Sequence, residues 1–315
     1  MLGLEHAETL RAMTNLGIVY TALGKYKDAE AIDSRIVTIR RRVFGPEYPA
    51  TLYATTNLAD DYMAQDKYAD AEILLASVTK IERRMMGTGN SATLHSMNFL
   101  ANTFYFQGRY AEAEALHKET LENMRTLLGP EHLDSLVVAS NLARDYSAQS
   151  KFAPAEALLT GTFSTETRVL AKEHLVTLFT RSVLAGLYRQ WGKYGQAEEF
   201  AAQALEGRRR ALGPQHLETM QSVADLALVY VFEKKYNQSE PLAREAVEFR
   251  RRIDPDGWRL FRDEVLLGAS LAGQAKNAEG QPLLRDGFQA LAARKKQIPA
   301  PEGNILEALK IAAHR

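Results

Sequence analysis

A chain of 315 residues that is 46% hydrophobic and 25% charged has the composition of a folded protein, far from the aromatic-poor, charge-rich profile of disorder. Lys plus Arg equals Asp plus Glu at 39 each, so no net field draws nucleic acid or an anionic membrane over long range. The lack of cysteine excludes disulfides, thiol catalysis and cysteine-ligated zinc.

The segment from Met1 to His6 has no basic stretch followed by an apolar one, and no window approaches 18 uninterrupted apolar residues. A cytoplasmic protein is expected, with neither nucleic acid nor membrane as partner. Leu2-Gly3-Leu4-Glu5-His6 has the form of a linker between repeats. The chain is therefore expected to open where a preceding helix would finish, as a piece of a longer protein. The outer face of its first repeat is then a candidate surface for a homo-oligomer.

From Thr9-Leu10 onward the sequence repeats with a step of 42 residues. A hydroxyl residue and Leu or Met recur at Thr51-Leu52, Thr93-Leu94, Ser135-Leu136, Thr177-Leu178 and Thr219-Met220. Leu16, Leu58, Leu100, Leu142, Leu184 and Leu226 keep the step, each followed by Gly or Ala and, four places on, by Tyr or Phe. A large residue, a small one and an aromatic at i, i+1 and i+4 fit one packed helix face.

A turn is read at Gly24-Lys25-Tyr26 and its equivalents, and a second helix is expected to open at Ala29-Glu30 and theirs, where a carboxylate suits the helix dipole. Gly45-Pro46, Gly87, Gly129-Pro130 and Gly213-Pro214 end it, with runs such as Arg40-Arg41-Arg42 in the last turn. The pattern predicts an all-α fold, a right-handed α-solenoid superhelix of antiparallel helix pairs, because one pair cannot bury its apolar face alone.

Six in-phase repeats are expected at 3–44, 45–86, 87–128, 129–170, 171–212 and 213–254. The second helix of the fourth carries Gly161 among β-branched residues, which predicts a bend or local opening. A degenerate seventh repeat over 255–297 is one residue out of phase, and 302–315 reads as a capping helix, with Asn304 to His314 covering the exposed end.

Four of the seven histidines, His6, His132, His174 and His216, occupy one linker row. Stacked helices hold such a row about 8–10 Å apart, too far to share a metal, so capping or packing of the linker is expected. Gly87-Thr88-Gly89-Asn90 lacks the Gly-Lys-Ser of a phosphate loop, and no protein-kinase motif set is present. The arginine runs sit at helix C-termini and read as dipole-compensating, solvated ends. The chain reads as no enzyme, with no cofactor and no metal.

The run Asn15-Leu16-Gly17-Ile18-Val19-Tyr20, then Gly24-Lys25-Tyr26-Lys27-Asp28-Ala29-Glu30, resembles the tetratricopeptide pattern, in the 42-residue form of kinesin light chains. Leu128-Gly129-Pro130-Glu131-His132 and Leu212-Gly213-Pro214-Gln215-His216 resemble their linker. The resemblance implies that the first helix of each pair lines a concave surface and that the row Asn15, Asn57 and Asn141 holds the backbone of an extended peptide. An Asn amide both donates and accepts, so it matches a peptide unit whatever its side chain; the same residues could equally bond within their own repeats.

With the neighbouring rows, the expected groove comprises Asn15, Tyr53, Asn57, Asp60, His95, Asn98, Asn102, Tyr105, Asn141, Arg144 and Arg189. Repeats two to four are polar and aromatic there, whereas Leu228, Val231 and Phe232 make repeat six apolar. A protein or peptide ligand with a polar end and a hydrophobic anchor is expected. Similar arrays also follow kinase or signalling-ATPase domains in bacteria, and Leu266 to Leu271 with Pro282 to Phe288 resembles the closing unit of kinase-attached arrays. The second expectation is therefore the regulatory or sensory region of a larger signalling protein.

Overall fold

The structure is a computed structural model that describes residues 3–171 and 173–313. Met1, Leu2, Lys172, His314 and Arg315, which include the ends of the linker-like start and of the expected last helix, lie outside the described residues. Among the described residues there is no β-strand. In chain order the helices are α1 (Ala7–Ala22), α2 (Tyr26–Phe44), α3 (Pro49–Ala64), α4 (Tyr68–Met86), α5 (Ser91–Phe106), α6 (Tyr110–Leu128), α7 (Leu133–Ala148) and α8 (Phe152–Val169). They continue with α9 (Leu175–Gln190), α10 (Tyr194–Leu212), α11 (Leu217–Phe232), α12 (Tyr236–Ile253), α13 (Trp258–Ala272), α14 (Asn277–Ala293), a 3-10 turn at Lys295–Gln297, and α15 (Ala300–Ala313).

First helices begin at Ala7, Pro49, Ser91, Leu133, Leu175 and Leu217, each 42 residues after the last, and α13 then begins one residue early at Trp258. The second helices open at Tyr26, Tyr68, Tyr110, Phe152, Tyr194 and Tyr236, three residues before the Ala-Glu pairs expected to start them. The aromatic read as part of the turn is the first helical residue.

One bond pattern explains the regularity of the turns. Each first helix closes with a residue in the left-handed region, at φ 72° for Gly24, 61° for Asp66, 82° for Gly108 and 60° for Ser150. The next amide then reaches back to the carbonyl of the repeated aromatic, as in Lys25 N to Tyr20 O at 2.9 Å and Lys67 N to Tyr62 O at 2.8 Å. The same basic side chain lies over that aromatic ring, 5.3 Å for Lys67 on Tyr62 and 4.1 Å for Arg109 on Phe104. Turn sequence, aromatic row and cation are thus one device.

The chain packs as two compact units that divide between Val138 and Ala139. In the first, Ile36 and Val37 of α2 bury against Ala54 and Leu58 of α3, and Ala71 and Leu75 of α4 against Leu100 of α5. In the second, one cluster centres on Leu184, Leu205, Met220 and Phe249, and another on Leu228, Val231, Val265, Leu266 and Leu284. Ala29, Ala71, Ala113, Ala155 and Ala197 are all fully buried, which lets the two helices of a pair approach closely.

The expected opening in the fourth repeat does not occur: α8 runs unbroken from Phe152 to Val169. Thr160, Thr162 and Thr165 donate to the carbonyls of Glu156, Leu158 and Gly161 at 2.8, 2.9 and 3.1 Å, so the hydroxyls bond within the helix. Leu159, Thr162 and Glu166 are buried, and this packing outweighs the low helix propensity of the segment. Its exit differs, ending in extended Leu170 where α2, α4, α6 and α10 end in Gly with positive φ.

Candidate functional site

The face expected to bind a ligand belongs to the first helices. In the first unit Tyr53, Asn57 and Asp60 follow one another at i, i+4 and i+7 on α3, which sets them on one side of the helix. Tyr53 is 54% exposed, and Asn57 and Asp60 are half-buried. His95, Asn98 and Asn102 make the same stripe on α5 at i, i+3 and i+7, all half-buried. His95 Nε2 lies 3.3 Å from Asp134 Oδ2. Asn15 on α1 is exposed.

Two expected groove residues are in the interior instead. Tyr105 is 8% exposed and packs its ring edge-on to Phe106, with centroids 5.3 Å apart. In the second unit Asn141 is 4% exposed and accepts from Arg144 Nη1 at 3.4 Å. Arg144 is half-buried with its guanidinium 5.9 Å from the Phe179 ring, and Arg189 similarly lies 5.8 Å from the Phe232 ring. Both cations are thus held by aromatic neighbours on the next first helix.

The histidine row caps helices. His6, His132, His174 and His216 each accept at Nδ1 from the amide two residues on, at 3.2, 3.2, 3.3 and 3.2 Å, and Asn90 does the same through Oδ1 at 2.9 Å. Tyr48 holds the equivalent place without a side-chain cap. Among the described residues no group of three His, Asp or Glu could hold a metal ion.

The arginine runs do more than face the dipole. Arg84 reaches Glu47 at 2.5 Å and Arg210 reaches Glu173 at 2.5 Å, each tying a second helix to the linker before it, and Arg42 with Glu5 does likewise. Arg83 pairs with Glu119 and Arg209 with Glu245, at 2.8 and 2.9 Å, linking successive second helices. Arg208 is buried and donates to the hydroxyls of Ser182 and Ser222 at 2.9 and 2.6 Å. Each of these arginines thus pairs with a carboxylate or hydroxyl of the same chain.

Sequence reading missed the buried carboxyls. Asp33 of α2 and Asp61 of α3 are 2% and 1% exposed, and Thr21 Oγ donates to Asp61 Oδ1 at 2.8 Å. Burial pushes Asp33 up to about 6 and Asp61 up to about 7, the latter raised further by its neighbour Asp33. Burial likewise raises Asp60 to about 6, with Asp61 beside it. Gly17 was the available signal: a Cβ there would meet Asp33 Oδ1 at 2.8 Å, where the later repeats carry Ala. The apolar side of α1 also stands out, with Leu16 43% exposed where Leu58 in the next repeat is 6% exposed.

The tetratricopeptide repeat family model matches residues 3–84, 91–160 and 184–252, more than half of the chain. A putative kinesin light chain from Podosopora anserina, described as having nearly identical TPR-like repeats, is 26% identical, with 65% of this chain and 98% of that one covered and a TM-score of 0.53. The Rap conjugation gene regulator of the plasmid pLS20, solved in complex with the Phr* peptide, is 12% identical over 91% of this chain and 74% of that one, with a TM-score of 0.66. A signal transduction ATPase from Pyrococcus horikoshii with a tetratricopeptide repeat sensor is 14% identical over 96% of this chain and 44% of that one, with a TM-score of 0.60. No curated protein matches the chain. Among the described residues no helix is long and apolar enough to cross a membrane.

Proposed function

The chain belongs to the tetratricopeptide repeat family, and we propose that it is a non-catalytic interaction scaffold that holds a peptide or helical segment of another protein against its first helices. The observation that carries this reading is the pair of stripes in the first unit, Tyr53, Asn57 and Asp60 on α3 and His95, Asn98 and Asn102 on α5. The six residues are partly open to solvent on helices whose other sides form the core, and Asn57 Nδ2 and Asn102 Oδ1 are covered polar atoms with no hydrogen-bond partner among the described residues, a donor and an acceptor of the kind that match a peptide backbone. Helices fixed by their caps and ion pairs present these groups without reordering, which limits the entropic cost of association. The likeness to a Rap regulator solved with a peptide supports the same reading.

A pull-down from cell extract with the intact chain and with Asn57→Ala, Asn98→Ala and Asn102→Ala combined tests this assignment. The triple variant is expected to lose its partners while keeping its helical circular dichroism. Equal capture by both would remove the assignment.

A second reading, in which the repeats serve as the sensor of a larger signalling protein, draws on the likeness to the ATPase with a repeat sensor. A signalling domain, kinase or ATPase, encoded in the same reading frame would decide for it.

A further inference from the structure

The chain after α14 does not continue the stack. Elsewhere a new first helix packs on the second helix before it, as α3 on α2, α5 on α4, α9 on α8, α11 on α10 and α13 on α12. The chief partner of α15 is instead α13, a first helix. Between α14 and α15 stand the 3-10 turn at Lys295–Gln297 and Arg294, which donates to Asp256 O at 3.0 Å and lies 4.4 Å from the Phe261 ring.

The side chains show where α15 has gone. Leu306 and Leu309, 8% and 0% exposed, join the cluster of Leu228 and Val231. Ile305 borders a cavity of about 100 Å³ together with Ser182, Gly186, Arg189, Asp225 and Leu228. Asp225 and Leu228 are the sixth-repeat members of the rows that in the first unit carry Asn57 and Asp60. At its other end Glu302 stands 3.4 Å from Nη1 of Arg262, a buried guanidinium that also donates to Asp263. The helix therefore lies along the first helices of the second unit.

We propose that the face built by α9, α11 and α13 is a receptor for an amphipathic helix, that α15 is its resident occupant, and that a partner helix of the same chemistry displaces it. The inference rests on the reading that first-helix faces are binding surfaces. The occupant defines the ligand: a carboxylate at i that meets Arg262, then Ile or Leu at i+3, i+4 and i+7, as Glu302, Ile305, Leu306 and Leu309 supply. Because α15 is tethered, a free ligand competes against a high local concentration and binds the intact chain weakly until α15 is loosened.

The probe is a fluorescent peptide with the sequence of residues 300–313, titrated into the full chain and into its Leu306→Ala, Leu309→Ala variant. The variant is expected to bind at least tenfold more tightly than the unaltered chain. An unlabelled peptide with Ala at the places of Glu302, Leu306 and Leu309 is expected not to compete. At saturation of the unaltered chain, hydrogen exchange of residues 303–310 rises while α11 and α13 keep their protection. Should the double variant lose helicity, Glu302→Ala replaces it, with an expected gain of at least threefold. Equal affinity for both chains, no saturable binding to a folded variant, or undiminished protection of α15 at saturation overturns the proposal. The asparagine substitutions in the first unit leave this titration untouched, so a failure here and a failure of the wider reading are told apart.

Discussion

Glu166 of α8 accepts a hydrogen bond from Thr180 Oγ of α9 at 2.8 Å, and its carboxyl has no exposure to solvent. Burial pushes it up to about 7, only partly offset by Thr180 and the nearby Arg181. In the unfolded chain the same group titrates near the ordinary value of about 4.3. The folded state therefore holds more protons through that interval, and with Asp61 near 7 and Asp33 near 6 the effect has one sign. Their contribution to stability is fully present below about pH 4 and is lost as the pH rises through about 7. Melting temperature is expected to be higher at pH 5 than at pH 8, and Glu166→Gln to raise the value at pH 8 and flatten the profile. A melting temperature that climbs from pH 5 to pH 8 would contradict these assignments.

The histidine caps predict a local loss. Replacing His216 with Ala removes the acceptor for Glu218 N and is expected to cost about 1 kcal/mol, the usual worth of a cap. His216→Asn is expected to restore most of it, since Asn90 caps α5 in the same way. Urea midpoints of the three chains measure this, and an unchanged midpoint for the Ala variant would show that water replaces the cap at no cost.

Two glycines inside helices predict opposite signs. A Cβ on Gly207 of α10 would come within 2.3 Å of Leu178 Cδ2, so Gly207→Ala forces the pair apart and is expected to cost about 1–3 kcal/mol. Gly161 of α8 has nothing within 4 Å of its Cβ position, and Gly161→Ala is expected to stabilise by about 0.5–1 kcal/mol. Thermal melts that move both variants the same way would refute the packing described for these helices.

The ties between repeats are expected to be individually weak. Lys67 meets Glu30 at 2.7 Å, with 39% and 26% of the two side chains exposed, and Lys193 with Glu156 repeats the contact at 3.3 Å. Lys67→Met is expected to cost at most about 1 kcal/mol, because water screens a pair this exposed. A larger loss, measured by urea unfolding in 0.15 M salt, would mean that the ladder carries the stack.

Much of the fold was legible because its signals are local and recur. The cap at His174, the left-handed turn at Gly108 and the small Ala113 each act within a few residues, and a fixed step makes every copy a check on the others. The start of the second helices was misjudged because an aromatic after Lys serves a turn and a helix N-terminus equally well. Gly161 misled because propensity is a weak prior beside the burial of Leu159 and Glu166.

The candidate site was legible only in outline. Its rows follow from helix period, so Asn57 and Asn102 were placed on the first helices from spacing alone. Whether a row member faces solvent depends on the neighbouring repeats: Asn141 and Tyr105 share rows with accessible residues yet are covered.

The amino-acid sequence by itself determined the paired helices, their step of 42 residues and the caps that end them, since these are set by interactions spanning a few turns of one chain segment. Only the tertiary structure decided that Asp33 and Asp61 are buried together and that α15 lies on the first helices of the second unit. Both outcomes depend on side chains brought together from distant parts of the sequence, and burial and Coulomb energy there are properties of the assembled neighbours, not of any segment alone.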